Sequence, residues 1–280
     1  MDQITEDNYR SYPGINSTAL ADFSQSQDHA LMERKPKAIY EDGHIFENMI
    51  RDACKDTTFF KDLYFVSAAS GKRPDELMDW IETGHDLESE IIYKSDKTRN
   101  NTYKTKHAYI DECLENPGKY PISQSDYDVF RKLVDNMLKM ELLDTTVYEI
   151  LKMSEFQIPV AWEHDGITKK ALHDAVLCFS GTHLFDIKTS ANPFTFNRMA
   201  SSKYWIQDHH YTEGAGYEWG DVQGFTFLVA YKEEPYLCEP VTIKGDKTIE
   251  YTNLCRRYHR WVLDGKQPKG YLPRREFYLR

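Results

Sequence analysis

Residues 170–190, KALHDAVLCFSGTHLFDIKTS, constrain this chain more than any other stretch. They read as two short apolar strands joined by a turn at Ser180-Gly181. Asp174 falls in the first strand, and Asp186 and Lys188 stand two apart near the end of the second. Side chains alternate along a strand, so Asp186 and Lys188 share one face while Ile187 turns into the core. If the strands pair as a hairpin, Asp174 comes near Asp186. Two carboxylates and an ammonium then meet at one strand edge, a set that could hold a divalent metal and a phosphate.

The flanking sequence supplies a plausible setting. Asn16, Ser17 or Thr18 caps a helix running to about Leu31, ended by Pro36. A second helix over 38–53 places Ile39, Phe46, Met49 and Ile50 at helical spacing and carries Gly43 and Glu47 four apart. A short helix is expected at 73–80, a loop at 88–101 and a helix at 103–114. Ser125 caps an amphipathic helix with Val129, Leu133, Val134, Met137 and Leu138 on its apolar stripe. From Ser154 the period changes to two: Phe156, Ile158, Val160 and Trp162 form a strand, and Asp165-Gly166 is a hairpin turn. After the central hairpin come a helical region from Pro193, a helix over 204–215, strands over 225–231 and 236–243, and a helix that Asp246 caps. The implied fold is α/β (α+β), one domain over 1–280, with a mostly helical part at 1–150 and the core sheet and helices at 151–280.

Composition narrows the class. A chain 40% hydrophobic and 29% charged is globular in character. No run of about 18 apolar residues exists, so no membrane span is expected. The opening MDQITEDNYR lacks a signal peptide's apolar centre. Cys54, Cys113, Cys178, Cys238 and Cys255 are widely spaced with no CxxC pair, which points to reduced thiols in a cytosolic protein. Formal charge is −10, unlike a general nucleic-acid coat protein, but residues 243–280 hold ten Lys/Arg against four Asp/Glu. Contact with nucleic acid would then be local and metal-assisted.

With the motifs set in order, the chain resembles the PD-(D/E)xK nucleases of the RecE/lambda-exonuclease type, commonly phage-encoded. Gly14-Ile15-Asn16-Ser17-Thr18-Ala19-Leu20 is similar to the family's opening segment. Gly43-His44-Ile45-Phe46-Glu47 looks like its first core-helix motif. Asp174, then Asp186-Ile187-Lys188-Thr189, match the core hairpin, and Gln207 through Tyr211 to Gly214 match the "Q-x-x-x-Y-x-x-G" helix. The resemblance implies a restriction-endonuclease-like core with a mixed sheet flanked by helices. Glu47, Asp174, Asp186 and the Ile187 carbonyl would hold Mg²⁺ (or Mn²⁺). Lys188 would be the catalytic lysine, and Gln207 and Tyr211 would orient it or the substrate. Members of the type carry His or Glu at the position of Glu47, and His44 lies close by.

The implied activity is 5′→3′ exonucleolytic hydrolysis of double-stranded DNA from its ends, leaving single-stranded tails for recombination. The implied partners are DNA ends and a single-strand annealing protein of RecT type, in a homo-oligomer in the cytoplasm of a bacterial or phage-infected host. A non-catalytic DNA-end or protein-binding module on the same fold, and a RecB-like endonuclease, are the rival readings. Glu155 is a further candidate carboxylate that reads as a strand-edge surface group. Adjacent His209 and His210 diverge on a helix and read as surface residues. His173 should point away from Asp174's face. Tyr204, Trp205 and Tyr211 could stack on unpaired bases.

Overall fold

The computed structural model of the protein describes residues 3–32, 38–68, 83, 84, 86 and 103–267. The helix expected at 73–80 and the last part of the basic tail lie outside the described residues. In chain order the elements are α1 (Ser17–Gln25), α2 (Gln27–Leu31), α3 (Ala38–Lys55), α4 (Phe59–Leu63), β1 (Tyr64–Ser67), α5 (Tyr103–Glu115), β2 (Tyr120–Ser123) and α6 (Gln124–Lys139). There follow β3 (Glu141–Leu142), β4 (Thr145–Thr146), α7 (Val147–Met153), β5 (Glu155–His164), β6 (Ile167–Cys178) and β7 (Thr182–Ser190). The chain continues through α8 (Pro193–Met199), a π-helical turn (Ala200–Tyr204), α9 (Trp205–Trp219), β8 (Val222–Tyr231), β9 (Cys238–Val241) and α10 (Thr248–Leu263). Two compact units result: one draws on residues up to 34, 141–231 and 239 onward, the other on 35–140 and 232–238.

The first unit is built on a five-stranded mixed sheet in the order β5-β6-β7-β8-β9. Asp165 and Gly166 both adopt positive φ, 54° and 69°, and close the antiparallel β5–β6 hairpin as the sequence predicts. β6 and β7 are antiparallel, whereas β7 and β8 run parallel. A parallel pair needs a long crossover, and α8, the π turn and α9 provide it. Val160, Trp162, Ala171, Phe227 and Val229 of the sheet pack with Tyr211 and Ala215 of α9. Ile206 of α9 instead joins Leu20 and Phe23 of α1 and Tyr251, Leu254 and Trp261 of α10. α9 therefore lies between the sheet and the α1/α10 pair, buried on two sides. Each large side chain so buried contributes about 1.5–3 kcal/mol relative to exposure.

The close approach of α9 to the sheet depends on Gly214. A Cβ there would stand 2.6 Å from the Trp162 ring. The helix is also pinned by hydrogen bonds. His210 is fully buried, with Nε2 2.9 Å from the Lys170 carbonyl and Nδ1 2.8 Å from the Tyr251 hydroxyl. A carbonyl only accepts, so Nε2 carries the proton and donates to Lys170. His210 is thus a core anchor, not the surface residue expected from its divergence from His209 on the helix. The segment before α1 is held in the same region: Lys170 Nζ donates to the carbonyls of Tyr9 (2.7 Å), Arg10 (3.2 Å) and Tyr12 (2.6 Å). Ile15 forms a parallel bridge with Lys169.

The second unit packs α3 against α6, with Ile45, Phe46, Ile50, Leu133 and Met137 buried. The Asp52 carboxylate accepts from the N–H groups of Phe59 (2.9 Å) and Phe60 (2.8 Å), satisfying the first turn of α4. Three helix starts differ from expectation; at α10 the N-cap position is held by Lys247, not Asp246, although Asp246 Oδ1 accepts from Thr248 N at 2.9 Å. Ser123, not Ser125, caps α6, its Oγ accepting from Asp126 N at 3.1 Å. In the first unit, the single helix expected from Asn16 to Leu31 divides at Ser26, which is extended (φ −165°, ψ 161°) and caps α2. Asn16 does cap α1, through Ala19 N at 2.8 Å.

The five-stranded mixed sheet with flanking helices is the α+β architecture expected, and it is compatible with a restriction-endonuclease-like core. Among the described residues, no helix is long and apolar enough to cross a membrane.

Candidate active site

The β6–β7 ladder ends at the pair Ala175↔Phe185. The next two residues in that register are Asp174 and Asp186, which therefore stand opposite each other on one face. Here the strands part. Instead of bonding to β6 backbone, the Ile187 N–H donates to Asp174 Oδ2 at 2.8 Å. β7 continues alongside β8, with Asp186↔Phe227 and Lys188↔Val229 in register. The sheet thus opens a notch at the two carboxylates while holding β7 rigid from its other side.

Asp186 is buried, at 1% exposure. Gln207 Nε2 of α9 donates to its Oδ1 at 2.5 Å. Its Oδ2 lies against the Lys188 ammonium in a close ion pair. Burial pushes the Asp186 carboxyl above the usual carboxylate range; Lys188 and Gln207 oppose the shift and Asp174 adds to it. For Lys188, burial works against the ammonium, but Asp186 and Asp174 outweigh it and the net shift is upward. Lys188 is still 22% exposed, so it reaches both the buried carboxylate and the outside.

Gln207 and Tyr211 lie four apart on α9 and face this cluster, as expected. Tyr211 is buried, and its hydroxyl is pushed well above its ordinary pKa by burial, with Tyr9, Asp186 and Asp174 adding to it. His173 is buried between the rings of Tyr211 (4.9 Å) and Trp219 (5.5 Å), a core position. His209 is half-buried, with Nδ1 3.0 Å from the Trp205 carbonyl and Nε2 accepting from Lys247 N at 3.2 Å. The two adjacent histidines therefore serve different partners. Glu155 is exposed at the start of β5, opposite Val176. Glu47 is half-buried on α3 and His44 is exposed on the same helix; both belong to the other compact unit.

The donor set suits a hard divalent cation in kind. Asp186 offers a buried carboxylate whose Oδ2 is met by the Lys188 ammonium, Asp174 stands across from it, and the Ile187 carbonyl follows Asp186 directly in sequence. Among the described residues, no group of three or more His, Cys, Asp or Glu converges on one point. The notch by itself therefore supplies two carboxylates, not a complete shell.

One residue of the cluster escaped the sequence reading as a neighbour of the lysine. The Tyr204 ring lies 5.8 Å from Lys188 Nζ. Its position three residues before Gln207 is the signal that could have placed it there.

No known family profile and no curated protein sequence matches this chain. Solved structures do. A protein of Eubacterium rectale described as a "putative exonuclease" superposes with TM-score 0.52 at 11% identity, over 95% of this chain and 87% of that one. SSO0001 matches over 42% of this chain and 53% of its own at 12% identity, with TM-score 0.30, too low for a shared fold. At nearly full length, this chain has a fold similar to that of the Eubacterium rectale protein.

Proposed function

We propose that this protein is a metal-dependent deoxyribonuclease that hydrolyses DNA phosphodiesters. The observation that carries the reading is the Asp186–Lys188–Gln207 cluster facing Asp174 at the point where β6 and β7 part. The fold similarity to a protein described as an exonuclease, and the ordered motifs of the RecE/lambda-exonuclease type, support it. The finer reading is a 5′→3′ exonuclease acting on duplex ends, whose single-stranded products pass to an annealing protein.

The residues divide the work. Asp174, Asp186 and the Ile187 carbonyl would hold Mg²⁺ or Mn²⁺. A bound divalent ion polarises a phosphoryl oxygen and lowers the pKa of coordinated water. Gln207 fixes the orientation of the Asp186 carboxylate by donating to Oδ1. That leaves Oδ2 to face inward, where Lys188 meets it. The Lys188 ammonium, kept charged by the two aspartates, donates to the attacking water or to a phosphoryl oxygen as negative charge builds there.

Purified protein with Mg²⁺ should degrade linear duplex DNA and spare closed circles, releasing nucleotides from 5′-labelled ends first. Asp186→Ala and Lys188→Ala should each abolish digestion. Undiminished digestion by both variants removes the assignment, and cutting of closed circles replaces exonuclease with endonuclease.

A further inference from the structure

The helical run from Pro193 to Trp219 does not keep one period. Five residues, Ala200–Tyr204, form a π-helical turn between α8 and α9. Such turns are rare, and they are frequent at functional sites. This one ends on Tyr204. From there Tyr204, Gln207 and Tyr211 follow at spacings of three and four, which puts them on one face of the helix. Gln207 bonds to Asp186 from that face.

The Tyr204 ring is fixed by its own packing. Its centroid lies 5.3 Å from that of Phe196 and 5.4 Å from that of Phe227. Phe227 is fully buried and stands beside Asp186 in the parallel ladder. The ring therefore has little freedom, and Lys188 Nζ comes within 5.8 Å of its centre. Burial raises the phenol's pKa, with Lys188 pulling it down and Asp186 pushing it up, so the ring remains neutral. A neutral aromatic face attracts an ammonium without competing for its protons.

We infer that Tyr204 is a positioning residue for Lys188: its ring, delivered by the π turn, keeps the ammonium in the notch when the Asp186 carboxylate engages another cation or the substrate. Lysine carries a flexible four-carbon stem, so without a second attractive surface a partly exposed ammonium would swing outward. This inference rests on the hydrolytic reading for its effect on turnover, but the contact itself can be read without it.

Two substitutions test it. Tyr204→Phe keeps the ring and should keep kcat within about twofold. Tyr204→Leu removes the aromatic face at similar bulk and should lower kcat about two- to fivefold, the range for a cation–π contact at a half-exposed site, with KM little changed. In ¹³C-lysine-labelled protein, with Lys188 assigned by its loss in Lys188→Arg, the ring-current shift of the Lys188 ε-protons should persist in Tyr204→Phe and vanish in Tyr204→Leu. Should Tyr204→Leu fail to fold, Tyr204→Met serves in its place. Equal losses in the Phe and Leu variants would assign the effect to the hydroxyl and overturn the inference. So would an unchanged kcat in Tyr204→Leu once the Lys188 shift has moved. If wild-type protein cuts no DNA, the hydrolytic reading fails; a Lys188 shift that is then the same in all variants removes the contact as well.

Discussion

The Asp174 carboxylate accepts a hydrogen bond from the Ile187 backbone N–H at 2.8 Å, in the place where a β6 carbonyl would sit if the ladder continued. One side chain thus ends the β6–β7 pairing and satisfies the backbone donor that the ending exposes. It does so one residue after Asp186 and one before Lys188. The geometry of the candidate site and the integrity of the sheet share that single carboxylate.

Asp174→Asn and Asp174→Ala should therefore behave differently. An amide oxygen can still accept from Ile187, so the Asn variant should unfold within about 0.5 kcal/mol of wild type while losing Mg²⁺-dependent nuclease activity. The Ala variant leaves a partly buried N–H without its acceptor and should lose about 1–3 kcal/mol. Urea denaturation of both proteins, alongside digestion of linear duplex, makes the comparison. Equal stabilities would mean that water replaces the carboxylate at no cost.

Asp186 and Lys188 form a pair whose members depend on each other. Lys188→Met leaves a buried carboxylate without its ammonium and should destabilise by about 1–3 kcal/mol, less than the 3–5 kcal/mol typical of a fully buried pair because Lys188 retains exposure. Asp186→Asn combined with Lys188→Met removes both charges and should recover most of that loss. The cycle of two single variants and the double variant measures the coupling. A double variant as unstable as the sum of the singles would show that the pair is not coupled.

Gly214→Ala should overpack the interface of α9 with Trp162, since the added Cβ would meet the indole ring at 2.6 Å. A loss of about 1–3 kcal/mol is expected. Because Gln207 lies two turns away on the same helix, the displacement should also reduce nuclease activity. Thermal unfolding followed by Trp fluorescence reads the first effect. A melting temperature equal to wild type would mean that the helix can slide without cost.

His210 gives the fold an acid limit. Burial pushes its pKa down to about 4, against about 6.5 for an unperturbed histidine. Between those values the unfolded chain binds a proton that the native chain does not. The His210 contribution is therefore complete above about pH 6.5 and is lost as pH falls toward 4, at up to about 1.4 kcal/mol per unit. Urea midpoints from pH 7 to 4 should fall more steeply for wild type than for His210→Gln. Parallel slopes would remove the assignment.

Much of the notch was legible because it obeys short-range rules. Strand alternation puts Asp186 and Lys188 together, and the Ser180-Gly181 turn sets the register that brings Asp174 opposite Asp186. The Asp165-Gly166 turn is likewise written in its two residues. Other features depend on contacts that no local pattern encodes. Ser26 interrupts an apolar periodicity that reads straight through it, because its hydroxyl caps α2 from a fully buried position. Lys169, Lys170 and His210 look like surface residues, yet they are buried where tertiary partners accept their protons. The π turn changes no composition, so it emerges only from the backbone, although the three-residue spacing of Tyr204 to Gln207 is written in the sequence.

The three carbonyls around Lys170 Nζ have a kinetic consequence. Tyr9 and Lys170 are 161 residues apart. The hairpins that carry Asp174, Asp186 and Lys188 can form from neighbouring sequence, whereas the Tyr9 segment must wait for a long loop to close. In refolding, the amides of the β5–β6–β7 meander should gain protection from hydrogen exchange early, and those of Ile15 and Lys170 only in a later phase.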